Sequence, residues 1–339
     1  MGKVNDSINL VRHLNVVRFF NLFGLKFSYL FSKVTKKSRL YGSPFSMSIE
    51  PTTACNLGCP ECPSGLKQFT RKTGKLNLDF HENFLKQISK TVFYINYYFQ
   101  GEPFLHPNFL ELIKSAKKHK IYTATSTNAH FITEKNADEI VESGLDRLII
   151  SIDGLTQETY EQYRKQGSLE SVLKGAELVI SAKKRLNSKT PFIIFQFLAV
   201  KPNEHEIPQV HILGKEMGAD EVRIKTAQLY DYKHGNPLMP NQEKYARYKK
   251  NIDGTYRLKY KTGNYCWRMW SSSVVTWDGN VVPCCFDKDA THVLGDVKAD
   301  SFKVIWNSKE YRNFRNAILS NRNEIDICKN CSEGAKVWG

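Results

Sequence analysis

The chain has 339 residues, enough to bury one large core plus a smaller domain. Its 49 Lys and Arg against 34 Asp and Glu give a formal net charge of +15, which favours an anionic partner such as a phosphorylated substrate, nucleic acid or an anionic lipid surface, although scattered surface lysine produces the same sum. No run of eighteen uncharged apolar residues is present, which excludes a membrane-spanning helix. Eight cysteines in clustered spacings, in a sequence that starts without a signal peptide, favour metal over disulfides and a reducing cytoplasmic setting.

Residues 1–43 form the first segment. Ile8 to Phe31 is dense in Leu, Val, Phe and Ile, is broken by Arg12, His13, Arg18 and Lys26, and leads into the basic run Lys33–Arg39. Such a stretch fits an extra helical layer packed on a core, or a peripheral contact with the anionic inner face of a membrane. Packing is the commoner fate of an apolar stripe.

From residue 44 to 250, strand and helix patterns alternate. Ser46–Glu50, Phe93–Phe99, Ile121–Ser126, Arg147–Ile152, Phe192–Ala199 and Glu221–Thr226 read as strands, most of them rich in β-branched or aromatic residues. Asp79–Lys90, Pro107–His119, Thr133–Ser143, Ser168–Arg185 and His205–Met217 carry apolar residues at helical steps. Thr133 with Asn136, and Gly144 and Gly218, supply start and stop signals. Six strands alternating with helices imply an α/β fold, a parallel sheet curled into a partial (β/α)6 TIM-like barrel that binds ligands at its C-terminal edge. On the sixth strand Val222 and Ile224 alternate with Arg223 and Lys225. Either the two basic residues point into the barrel, where they need an anion or Glu50 of the first strand, or the register is reversed and they face solvent.

Just after the first strand come Cys55, Cys59 and Cys62 in a C-x3-C-x2-C run. A four-iron cluster normally takes four thiolates, so three leave one iron open to an exogenous ligand; a structural zinc site would need a closed set of four. This run resembles that of the radical S-adenosylmethionine (SAM) enzymes. The resemblance extends to Gln100-Gly101-Glu102-Pro103, similar to the family's Gly-Gly-Glu-Pro element with Gln100 in place of the first glycine. It includes Ser126-Thr127-Asn128 and Ser151-Ile152-Asp153-Gly154 at the next two strand ends, and Arg164 beyond them. It implies a [4Fe–4S] cluster on the three cysteines, SAM held by these segments, and cleavage of SAM to a 5′-deoxyadenosyl radical that takes a substrate hydrogen. Reduced ferredoxin or flavodoxin would supply the electron.

Residues 251–339 hold the other five cysteines. Val274–Cys284, with Asp278-Gly279-Asn280 at its centre, reads as a hairpin, and Glu310–Leu319 as a helix. Cys266, Cys284, Cys285, Cys328 and Cys331 are spaced as in the SPASM/twitch extension of radical SAM enzymes. That likeness implies one auxiliary [4Fe–4S] cluster on Cys266, Cys284, Cys328 and Cys331, closed to substrate and able to pass electrons. Zinc on the same four thiolates is the alternative, and Cys285 is expected to be a buried, inert thiol. Three functions fit: oxidation or modification of a small, anionic or sugar-like molecule; maturation of a ribosomally made peptide or protein; and a non-catalytic iron–sulfur or zinc protein. Glu50, Arg223 and Lys225 are the expected substrate-side residues, and no specific nucleic acid partner is expected.

Overall fold

The computed structural model describes residues 2–333; the last residues of the C-terminal segment, 334–339, lie outside them. Helices α1 (Gly2–Val11) and α2 (Val16–Thr35) precede the sheet. The alternation then runs β1 (Ser46–Ile49), α3 (Pro63–Leu66), α4 (Leu78–Ile88), β2 (Tyr94–Asn96), α5 (Phe109–Lys118), β3 (Tyr122–Thr127) and α6 (Glu134–Glu142). It continues through β4 (Arg147–Ser151), α7 (Gln157–Tyr163), α8 (Leu169–Arg185), β5 (Phe192–Ala199), α9 (Ile207–Met217) and β6 (Glu221–Thr226). The remainder holds β7 (Tyr248–Lys250), β8 (Tyr256–Leu258), α10 (Arg268–Ser271), β9 (Ser272–Val275), β10 (Asn280–Val282), β11 (Gly295–Asp296), α11 (Phe302–Trp306), α12 (Lys309–Asn321) and α13 (Asp326–Lys329).

Strands β1 to β6 pair in chain order and all in parallel, the expected partial barrel. The C-terminal hairpin does not stand apart from it. β9 pairs in parallel with β1, and β10 and β11 follow antiparallel, so the barrel sheet extends to nine strands among the described residues. Strand β2 is shorter than its apolar run because the chain leaves the ladder after Tyr97, whose amide still donates to Ala124 at 2.7 Å. That early exit frees Tyr98 to Glu102 to turn over the barrel mouth. α7 carries no long apolar period; Thr156 caps it by accepting from the Thr159 amide, a capping box that the sequence reading passed over. Thr133 and Asn136 cap α6 reciprocally, and Gly144 and Gly218 sit past their helices at φ +79 and +87.

The N-terminal helices close the barrel's opposite end. Asp6 on α1 is buried and bonds both the Tyr122 hydroxyl and Arg147, at the starts of β3 and β4. Asn9 donates to Asp146 at 2.8 Å. Arg18 on α2 is also buried, and its guanidinium donates to four carbonyls: His13, Lys120, Ser89 and His119, at 2.6–3.1 Å. Three of these lie just past the C-terminal ends of α4 and α5, where unpaired carbonyls gather negative charge. One cation thereby caps two helices. Arg18→Met should lower the unfolding free energy by about 3–5 kcal/mol, since it orphans buried acceptors of charge-assisted bonds; a urea melt within 1 kcal/mol of wild type, to the order of such estimates, would count against that role.

Candidate active site

The loop between β1 and α3 carries Cys55, Cys59 and Cys62, and Cys62 immediately precedes Pro63 at the start of α3. All three line one cavity of about 230 Å³ at the C-terminal edge of the sheet. The same cavity is lined by Gly101, Glu102, Ser126, Thr127, Asn128, Ser151 and Arg164, so seven of the ten residues expected to hold SAM converge there with the cysteines. Donors point at the sulfurs: the Leu57 amide at Cys55 Sγ (3.5 Å) and Arg164 Nη1 at Cys59 Sγ (3.8 Å), while the Cys62 thiol faces Gln100 Oε1 at 3.8 Å. Burial pushes the Cys55 thiol up to about 12 and Cys59 up as well. Thiols so desolvated ionise only against a strong electrophile, as iron is. The three sulfurs line one pocket together, an arrangement that suits ligands on different irons of a cluster.

Gly101 cannot be replaced. At φ +75, a Cβ there would lie 2.2 Å from the Thr52 carbonyl oxygen and 2.8 Å from that of Ala54, so glycine alone lets this turn close on the cysteine loop. Gly65 plays the same part beneath Cys59, whose amide nitrogen would lie 2.5 Å from its Cβ.

The three expected residues that do not line the cavity support it. Gln100 accepts from Ser64 Oγ at 3.5 Å, and Pro103 opens a short helical turn capped by Glu102. Asp153, fully buried, accepts from Arg164 Nε at 2.5 Å and from the Leu198 amide at 2.6 Å. Burial works against the Arg164 charge, and Asp153 and Cys59 outweigh it. Glu102 is engaged by the protein itself: Thr127 Oγ1 (2.6 Å), the Asn128 amide (2.8 Å) and the Phe104 amide (3.2 Å) all donate to it. Its carboxylate therefore ties the β2 turn to the end of β3.

Sequence reasoning missed Ser64, Tyr163, Gln196 and Leu198, which also line the cavity. Gln196 left a signal, being the one polar residue in Phe-Ile-Ile-Phe-Gln-Phe-Leu-Ala.

Glu50 does not meet Arg223 or Lys225, as alternation along β1 and β6 suggested. It is fully buried and holds Arg71 through two bonds of 2.5 and 2.8 Å, and it accepts from the Trp277 amide at 3.3 Å. The partner sits between α3 and α4, twenty-one residues on, and Trp277 sits in the C-terminal hairpin. Arg223 instead pairs with Glu221 on its own strand. The inward register does hold: Arg223 and Lys225 lie level with Gln196 and Leu198 on β5, both cavity-lining. Lys225 has no acidic partner within ion-pair distance among the described residues. Burial pushes its ammonium pKa down, and so do Arg223, Arg268 and Arg247 nearby. Lys288 adds to this cationic wall; it donates to the Glu61 carbonyl at 3.3 Å and feels both Cys62 and Cys285.

In the C-terminal segment Cys266, Cys328 and Cys331 are buried and Cys284 partly so. Cys266 and Cys284 feel Cys331, as does Cys328. Arg322, buried and unforeseen, donates to Cys331 Sγ at 3.2 Å and to the Tyr265 and Glu333 carbonyls at 2.9 and 3.0 Å. Four thiols and one guanidinium suit an anionic thiolate cluster. Cys285 is only half-buried, contrary to expectation, and lies within electrostatic reach of Arg268, Tyr98 and Lys288.

A family model described as the radical SAM superfamily matches residues 49–196, and one described as an iron–sulfur cluster-binding domain, SPASM, matches residues 266–332. The PqqA peptide cyclase of Gluconobacter oxydans is 24% identical over 319 residues, covering 87% of this chain and 85% of that protein. Among solved structures, Streptococcus suis SuiB bound to its precursor peptide SuiA superposes with a TM-score of 0.61 at 14% identity, over 91% of this chain and 74% of that one. BtrN in complex with AdoMet and 2-DOIA gives a TM-score of 0.55 at 18% identity, over 87% and 96%.

Proposed function

Because the chain belongs to the radical SAM superfamily and is an enzyme with a [4Fe–4S] cluster, SAM and a SPASM iron–sulfur domain, we propose that it modifies a peptide or protein. In this reading Cys55, Cys59 and Cys62 hold the SAM-binding cluster. The segments ending β2, β3 and β4, with Arg164, hold SAM. When bound, the cluster and SAM supply a hydrogen-abstracting 5′-deoxyadenosyl radical. Cys266, Cys284, Cys328 and Cys331 hold one auxiliary cluster, with Arg322 offsetting its negative charge.

The observation that carries the substrate side is the cationic wall. Lys225, Arg247, Arg268 and Lys288 lie beside the cavity; Arg268 is already paired with Glu333, and among the described residues Lys225 has no ion-pair partner. A half-buried charge without a partner is costly, so an anionic group of the substrate would be seated there, and on a peptide that group is an Asp or Glu side chain or the terminal carboxylate. The peptide class is supported by the names of PqqA peptide cyclase and of SuiB with its precursor peptide. Presenting the reconstituted enzyme with peptide pools rich in Glu and matched pools rich in Gln tests this. SAM cleavage should be stimulated, and mass changes appear, only with the acidic pool.

One observation favours a small-molecule substrate instead: the superposition with BtrN spans 96% of that shorter chain. Stimulation by small polyols or sugars and by neither peptide pool would decide for it.

Lys225→Met should weaken substrate affinity at least tenfold, about 1.4 kcal/mol, with Lys225→Arg retaining most of it. The pH dependence has a definite sign. A lysine whose pKa is lowered loses its charge at a lower pH than the ordinary 10.5. Affinity should therefore hold at neutral pH and fall on the alkaline side before that value, while Lys225→Arg binds unchanged across the same range. Identical alkaline limbs for the two would remove Lys225 from the site.

A further inference from the structure

Helix α2 is turned inside out. The side chains it buries are Arg18, Leu25, Ser28, Tyr29 and Ser32, three of them polar. Its hydroxyls are satisfied locally: Ser28 by the Leu25 carbonyl at 2.9 Å, and Ser32 by reciprocal bonds with the backbone of Arg39 at 2.8 and 3.0 Å. The opposite face carries Val16, Phe20, Phe23, Phe27, Leu30 and Val34, at alternating steps of four and three, and all are exposed. Phe23 is 67% and Val34 81% accessible. Phe19 and Phe31 widen the stripe, and Val4, Ile8 and Val11 continue it along α1. A contiguous apolar face of this size is rarely left to water.

The charges around it choose the occupant. From Ser7 to Ile49 there is no Asp or Glu, and Asp6 is buried against Arg147. Arg12, Lys26, Lys33, Lys36, Lys37 and Arg39 border the apolar face and are exposed. Lys26 and Lys33 are laid over Trp267 and Tyr265 at 5.0 and 4.1 Å from the ring centroids, which keeps their ammonium groups at the rim. A second copy of the chain would bring two such cationic rims together, and like charges oppose that pairing. An anionic bilayer meets both features, with aromatic side chains in the acyl boundary and lysines at the phosphates. No described helix is long and apolar enough to cross a membrane, so the geometry is that of a helix lying in the interface.

We infer that α1 and α2 dock the enzyme on an anionic lipid surface, through the Phe20–Phe23–Phe27 face. The helices cover the N-terminal end of the barrel, and the cysteine cavity opens at the C-terminal edge. Docking therefore leaves the mouth facing away from lipid, open to a substrate in solution.

The test uses the full chain and vesicle co-sedimentation. Vesicles of equal phosphatidylglycerol and phosphatidylcholine should bind it, and phosphatidylcholine alone should bind it at least about tenfold more weakly. The triple variants F20S/F23S/F27S and K33E/K36E/K37E should each lose about tenfold or more, with unchanged far-ultraviolet circular dichroism. Three results would overturn the inference. One is no binding to the anionic vesicles. Another is loss of binding in the lysine variant but not in the phenylalanine variant, the mark of simple charge adsorption. The third is a concentration-dependent dimer in lipid-free solution that the phenylalanine variant dissolves, which would assign the face to a second copy.

Discussion

Cys59→Ala is expected to carry about four fewer iron atoms per chain than wild type after anaerobic reconstitution, and to form no 5′-deoxyadenosine from SAM. The substitution is conservative for the fold. Cys59 contributes one small side chain at the floor of the cavity, its backbone is held by Gly65 and by the Cys62 amide, and the strands beneath are untouched. Loss of iron with a native far-ultraviolet spectrum would therefore report on ligation alone. The companion variant Cys331→Ala should also lose about four irons and keep the ability to cleave SAM, because its sulfur belongs to the second set beside Arg322. Equal loss of SAM cleavage in both variants would contradict the division of the cysteines into two independent sites.

The second large effect is on stability. Glu50→Gln should destabilise the fold by about 3–5 kcal/mol by leaving Arg71 without its carboxylate in a buried setting. Yet the pair as a whole contributes little: burial raises the Glu50 pKa, and Arg71 only partly opposes it. Replacing both residues, Glu50→Leu with Arg71→Met, should therefore recover much of the loss, since apolar side chains of similar size need no solvation. Urea melts of Glu50→Leu, Arg71→Met and the double variant give the coupling directly. If the double variant is as unstable as the sum of the singles, the pair acts through something other than their mutual charge.

How far the sequence reaches can be argued from these same residues. The barrel was readable because its strands are apolar runs separated by capped helices; β5 and β6 fall at the residues their composition indicates. That the segments expected to hold SAM would converge was readable because each follows a strand directly, and a parallel sheet puts every strand end on one rim. Long-range pairing was not readable. Nothing local to Glu50 says that its partner is Arg71 and not a residue on β6, because side-chain direction fixes a face and leaves the partner open. Arg18, Arg315 and Arg322 are three buried guanidiniums; each reads in sequence as an ordinary surface cation and is kept inside by carbonyls brought in from distant segments. The hairpin β9–β10 was expected, and its parallel junction with β1 was not, since a crossover from residue 49 to residue 272 leaves no local trace. The N-terminal segment had two readings, packing and lipid contact; one face of α2 does pack on the protein, and the lipid reading rests as a proposal on the exposed apolar face.

The central claim is that this chain generates a substrate-directed radical from SAM in the cavity where the cysteine loop meets the ends of β2, β3 and β4. The most direct measurement is anaerobic: full-length protein reconstituted with iron and sulfide, mixed with SAM and dithionite in the presence of the acidic peptide pool, with 5′-deoxyadenosine quantified by chromatography. We predict 5′-deoxyadenosine in excess over the enzyme, with deuterium carried into it when the pool is labelled at carbon. Protein that holds its full iron complement and yet forms none above the Cys59→Ala control, with peptide or small-molecule pools alike, would contradict the claim.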